Sequence, residues 1–142
     1  MKHLSISLTL LLCVLLVAGC GGNVRVTGTV TFPDGEPLTT GQVVFENEKI
    51  SAIGRLSEDG TYTLGTDVEG NGIPRGQYRV FITGAVTYGE PPPPTPGAHS
   101  AMLPPSIPLI DRSFRSAETS GLVADVTGRM TFDITVTRPG ER

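Results

Sequence analysis

The sequence is poor in the residues that usually carry chemistry: two cysteines, two histidines and no tryptophan. With aromatics at only 6%, it lacks the stacked platforms that saccharide-binding surfaces use. Charge is weak as well. A formal net charge of −3 leaves no basic footprint for nucleic acid, so no nucleic-acid partner is expected. No apolar run approaches the roughly 20 residues needed to span a bilayer as a helix. The longest, residues 4–16, holds about 13. Long helices are disfavoured throughout, because 18 glycines and 12 prolines punctuate the chain.

What is present begins at the N-terminus. Lys2 and His3 form a short basic start, and the apolar run that follows ends Leu16-Val17-Ala18-Gly19-Cys20. A basic start, an apolar run, small residues and then cysteine resemble the lipobox of bacterial lipoproteins. That resemblance implies cleavage between Gly19 and Cys20, removal of residues 1–19 as a signal peptide, and diacylglycerol on the Cys20 thiol. An ordinary secretory signal, or a stray thiol in an apolar segment, are the competing readings. Cys13 lies in the segment removed, so the mature chain keeps one cysteine, with no internal disulfide and no thiolate metal site. About 123 residues remain, enough to stand on a core alone. Residues 20–23 form the lipidated cysteine and a linker, and Gly21 to Asn23 reach about 10 Å.

Residues 24–142 read as one domain in which period-two alternation dominates. In VRVTGTVTF, Val24, Val26, Val30 and Phe32 point one way, and Arg25, Thr27, Thr29 and Thr31 the other. Gly28 falls on the apolar side, the place for a bulge or a close backbone approach. A turn at Pro33-Asp34-Gly35 leads to QVVFE, where Val43 and Phe45 share a face. Residues 51–56 make a weaker third strand, and with TYTL after the turn at Glu58-Asp59-Gly60 they read as a hairpin. Tyr78, Val80 and Ile82 alternate next. A Pro-rich loop, residues 89–108, interrupts the pattern, and Leu122, Ala124 and Val126, then Phe132, Ile134 and Val136, complete it. About seven short strands predict an all-β, antiparallel two-sheet sandwich.

Three segments narrow the fold. V-x-G-x-V-x-F-x-D-G-x-P-L from Val26, D-G-T-Y-T-L from Asp59 and P-x-G-x-Y-x-V from Pro74 resemble the carboxypeptidase regulatory-like domain. The resemblance implies a transthyretin-like (prealbumin-like) sandwich. The tail motifs P-L-I-D and T-S-G-L look like a lipoprotein branch of that group. These motifs are turn glycines and alternating apolar positions, which specify fold rather than function.

Catalytic constellations are missing where that fold would hold them. Hydroxyisourate hydrolases, the enzymes of the transthyretin-like group, use paired histidines, an arginine and a terminal Tyr-Arg-Gly-Ser. Here the mature chain has only His99, inside the Pro-rich loop, and reads Arg138-Pro139-Gly140-Glu141-Arg142 at the corresponding place. An iron site needing two histidines and two tyrosines fails likewise, and no nucleophile elbow occurs. His99 reads as a solvated loop residue. Asp67, Glu69 and Asn71 with Gly72 mimic the start of a calcium loop, but Tyr78 stands where the bidentate glutamate belongs. Gly70-Asn71-Gly72 does not match a phosphate-cradle spacing. No cofactor and no metal site are expected, and no enzyme.

The expectation is therefore a lipoprotein of the cell envelope, held to membrane lipid through Cys20. It is exported and anchored to a bacterial membrane, the outer one where the cell has two. Its sandwich acts as a binding or scaffold module, with an envelope protein as partner and the Pro-rich loop as the largest feature on offer; the loop's polyproline II tract reads first as an inert spacer and second as a docking segment. A purely structural lipoprotein without a ligand is the alternative, and an enzyme of unrecognised type the remote one.

Overall fold

The computed structural model describes residues 21–93, 97 and 103–141. The expected signal peptide (residues 1–19), Cys20 and His99 lie outside them. Ten strands form: β1 (Val26–Thr31), β2 (Gln42–Glu46), β3 (Ser51–Arg55), β4 (Thr61–Thr63), β5 (Gly76–Thr83), β6 (Val86–Tyr88), β7 (Ser106–Pro108), β8 (Leu122–Val126), β9 (Met130–Thr131) and β10 (Ile134–Thr135). The described residues contain no α-helix, only a 3-10 turn at Arg112–Arg115, capped by the Asp111 side chain accepting from Ser113 N at 3.0 Å.

These strands make a β-sandwich. One sheet runs β10-β1-β4, with β9 also on β1, and the other runs β3-β2-β5-β8. Between them lies a continuous apolar core, because each strand turns its alternate residues inward: Val26 and Val30, Val43 and Phe45, Tyr78, Val80 and Ile82, Ala124 and Val126. Phe45 sits at its centre, edge-on to Phe132 at 5.6 Å and tilted against Tyr78 at 6.1 Å. The first sheet turns threonines outward in register: Thr27 beside Thr63 and Thr131, Thr29 beside Thr61, Thr31 beside Thr135. β-branched hydroxyls suit a half-solvated pleat.

Three expectations require correction. The sandwich is not purely antiparallel, since β9 and β10 pair parallel with β1. Alternation carries no strand direction, and parallel and antiparallel edge strands read alike. The last predicted strand is also broken at Phe132 and Asp133. Second, residues 51–56 and TYTL touch at both ends, through Ser57 N to Thr61 O at 2.9 Å and the Ile53–Gly65 bridge, but splay between into opposite sheets. They form a corner rather than a paired hairpin. Third, the third strand alternates cleanly once Gly54 is counted. Ala52 and Gly54 face inward, Gly54 against the Tyr62 ring, while Ile53 lies outside beside Val44.

The break in the last strand has a physical cause at Gly28. A Cβ there would stand 2.0 Å from the Phe132 carbonyl oxygen and 2.7 Å from the Tyr62 hydroxyl. Tyr62 is Gly28's direct partner across β4, and its side chain passes over the glycine to donate to that carbonyl at 2.6 Å. Thr29 N donates to the Asp133 carboxylate at 2.9 Å, so a side chain supplies the acceptor here. Burial, then the nearby Asp133 charge, pushes the Tyr62 phenol far up, and it stays a neutral donor at any working pH.

Gly28→Ala should therefore destabilise the domain by about 3 kcal/mol or more, as an overpacking substitution with only backbone to displace. Tyr62→Phe should cost about 1–2 kcal/mol, leaving the Phe132 carbonyl unsatisfied. Urea unfolding followed by circular dichroism checks both, and equal losses would contradict this account.

Candidate functional site

The two features picked out in the sequence emerge at opposite poles. Val24 closes a two-bond bridge with Ile73, at 2.8 and 3.0 Å, and Asn23 donates to the carbonyls of Asn71 and Gly72 at 3.4 and 3.3 Å. The expected free linker thus shrinks to Gly21 and Gly22, which meet nothing nearby. Three residues after Ile73, β5 starts at Gly76 and crosses the whole sandwich to Thr83. Seven steps of about 3.3 Å separate its ends by roughly 23 Å. From the far end the chain enters the Pro-rich segment.

That segment is shorter than expected, because its last residues form β7. Val86, Thr87 and Tyr88 pair antiparallel with Pro108, Ile107 and Ser106, and Gly89 N adds a bond to Pro105 O at 2.9 Å. Pro108 was read as a breaker, yet a two-stranded ribbon leaves its missing donor on an open edge. Residues 90–105 separate the two ribbon strands, and of these 94–96 and 98–102 lie outside the described residues.

The ribbon is rigidly footed and apolar at its tip. Gly84, with φ +65°, turns the chain out of β5. Ala85 is buried at the foot, Leu109 N donates to its carbonyl at 2.9 Å, and Ile110 is fully buried in the core. Gly41, with φ +120°, lets the neighbouring loop close in, since a Cβ there would meet Thr83 O at 2.9 Å. Beyond the foot, Tyr88 is 68% exposed, Ile107 49% and Leu103 88%. Tyr88, opposite Ser106, and Ile107, opposite Thr87, leave opposite faces of the ribbon, so both faces hold a large apolar group out in water. A recess of about 360 Å³ opens at the foot, lined by Thr39, Thr40, Gly41, Gln42, Arg55, Leu56 and Gly84. Hydroxyls, an amide and one guanidinium suit hydrogen bonding. None of them is a general acid or base near neutrality.

Charged groups frame the same pole. Arg138 joins Asp34 at 2.9 Å and Glu36 at 2.7 Å while its guanidinium lies 4.1 Å over the Phe32 ring. The Glu36 backbone N–H, then Arg138, holds the Asp34 carboxyl below its usual range. Hydrogen bonds from Thr61 and Ser113, hydroxyl first, do the same for Asp59 and Asp111. Sequence reading took the first of these only as a turn. The Arg138 partnership joins residues about a hundred apart, and no local pattern announces it.

The calcium-like loop is a turn. Asn71 Oδ1 is occupied by Thr66 N at 2.9 Å, and among the described residues no three acidic, His or Cys groups converge on a metal position.

Replacing residues 90–105 by a short Gly-rich link should leave the unfolding midpoint nearly unchanged, since closure cost varies slowly with loop length. Ile110→Ala should instead cost about 2–5 kcal/mol. Depressed carboxyl pKa values stabilise the fold above the ordinary aspartate value of 3.8 and lose that contribution as pH falls through their lower folded values. Because Asp34 and Asp59 are exposed and Asp111 is only partly buried, an acid titration of stability should show only a shallow decline as pH falls below 3.8.

Comparison with protein-family models gives no match, and comparison with curated proteins gives none either. Among solved structures, a DUF3823 family protein from Bacteroides ovatus is similar over 82% of this chain, at 17% identity and a TM-score of 0.45. The matched part is 45% of that protein, so this chain spans less than half its length. A likeness of that size bears on neither activity nor partners.

Proposed function

We propose that this protein is a lipid-anchored binding module of the bacterial cell envelope. Cys20 carries the lipid, a transthyretin-like sandwich of the carboxypeptidase regulatory-like kind serves as the body, and the Pro-rich ribbon docks an envelope protein. The observation that supports this most is the polarity of the fold. The segment leading back to Cys20 and the ribbon with exposed Tyr88, Leu103 and Ile107 leave opposite ends of β5. A tether at one pole turns the other away from the membrane, at a height of roughly 23 Å set by β5. The outer membrane is the favoured location where a cell has two.

Mass spectrometry of detergent-extracted protein should find diacylglycerol on Cys20, and Cys20→Ser should shift the chain from membrane to soluble fractions. The change should be large, because anchoring by two or more acyl chains is stable where one is marginal. Unmodified, soluble wild-type protein would remove the anchor from the reading. Crosslinking in intact cells should capture an envelope protein through the ribbon, and Tyr88→Ser with Ile107→Ser should abolish capture while circular dichroism stays unchanged. Capture that survives both substitutions would move the docking surface elsewhere. Absence of any crosslinked partner would favour a structural lipoprotein without a ligand.

A further inference from the structure

At the pole where the chain leads back to Cys20, the fold sets two arginines side by side. β1 and β9 pair parallel with Val26 opposite Met130 and Thr27 opposite Thr131. Arg25 and Arg129, the residues just before these pairs, therefore occupy matching positions on adjacent strands, and Met130 N donates to Arg25 O at 3.2 Å. Both are exposed on the outer face and line one shallow recess of about 480 Å³ with Thr27, Thr131 and Met130. No carboxylate lines it. The nearest acid further along β9's side of the face, Asp133, is engaged by Thr29 N at 2.9 Å.

Like charges in matching positions across a sheet are destabilising unless something anionic lies between them. The larger recess on the other sheet shows the ordinary solution: there Lys49, Arg75 and Arg79 stand among Glu46 and Glu48, and Arg79 meets Glu46 at 3.4 Å. At Arg25 and Arg129 the protein supplies no such partner among its described residues. Two guanidinium groups and two threonine hydroxyls therefore line one recess, and these are the donor types that phosphate recognition uses. Cys20 is five residues from Arg25, within about 17 Å along the chain.

We infer that Arg25, Arg129, Thr27 and Thr131 form a clamp for the phosphate of a membrane phospholipid headgroup. The clamp would fix the domain's orientation on the bilayer to which Cys20 ties it. The choice of a lipid source rests on the anchor reading above; the clamp itself rests on the register.

The test is arginine footprinting. Purified full-length protein, its acylation scored separately by mass spectrometry, is treated with phenylglyoxal on three backgrounds: vesicles containing phosphatidylglycerol, phosphate-free vesicles of digalactosyl diacylglycerol, and millimolar inorganic phosphate without vesicles. Modification of Arg25 and Arg129 should slow about fivefold or more on the first background relative to the second, while Arg112 and Arg115 at the other pole stay unchanged. Arg25→Gln should weaken the protection of Arg129. Without vesicles at low salt, Arg25→Gln should raise the unfolding midpoint by relieving repulsion, and the rise should vanish at high salt.

Equal protection by inorganic phosphate alone would overturn the lipid source and assign the recess to a free anion. Equal labelling on all three backgrounds, or a lower midpoint for Arg25→Gln, would overturn the clamp. A chain lacking the acyl group while phosphate still protects both arginines would overturn the anchor and keep the clamp.

Discussion

The sandwich depends on one close approach, where the Phe132 carbonyl presses against the bare α-carbon of Gly28 beneath the Tyr62 hydroxyl. Three strands meet there. Tyr62 belongs to β4, Gly28 to β1, and Phe132 to the gap between β9 and β10. A buried phenol needs a partner, and a carbonyl at a break in the ladder needs a donor, so each satisfies the other. With that exchange made, Phe132 can turn its ring onto Phe45 and Ile134 can enter the core. The first sheet thereby acquires its third neighbour, and the apolar face of the second sheet gains its cover.

The same arrangement gives the molecule its two ends. β5 reaches from one pole to the other, pairing with β8 over residues 76–80 and with β2 over residues 79–83. Segments leaving it do so at fixed points: the bridge of Val24 with Ile73 below, and the turn at Gly84 above. Charge follows the same division. At the ribbon pole Arg138 sits among Asp34, Glu36 and Glu141, whereas at the opposite pole no carboxylate among the described residues lines the recess of Arg25 and Arg129.

Much of this was legible from alternation alone. β1, β2, β5 and β8 lie where apolar residues recur every second position, because each has one face on the core and one on water. Gly28 was marked as a close approach for the same reason, standing on an apolar row without a side chain. Direction and partnership were not legible. A parallel edge strand looks like an antiparallel one, so the pairing of β1 with β9 stayed hidden, and with it the adjacency of Arg25 and Arg129. Pro108 concealed β7, since a proline's tolerance at a sheet edge depends on which side lies open. The corner between β3 and β4 was hidden because each half alternates properly, and only the opposite sheets they join reveal the splay. The lipobox-like run ending at Cys20 is a local motif and is independent of all of this.

The parallel pairing of the first strand with β9 and β10 also sets an order of events during synthesis. Val26 meets Met130, and Val30 meets Ile134, so the nucleus of the first sheet joins stretches separated by nearly the whole domain. Contacts of such high sequence separation form slowly and only after their loop-closure entropy is met. Until residues 130–135 have been delivered, β1 keeps an unsatisfied edge and its valines lack part of their cover. The first sheet is thus completed late, after nearly the whole domain has been synthesised. That timing makes the nascent form the one most exposed to proteases and to edge-to-edge association.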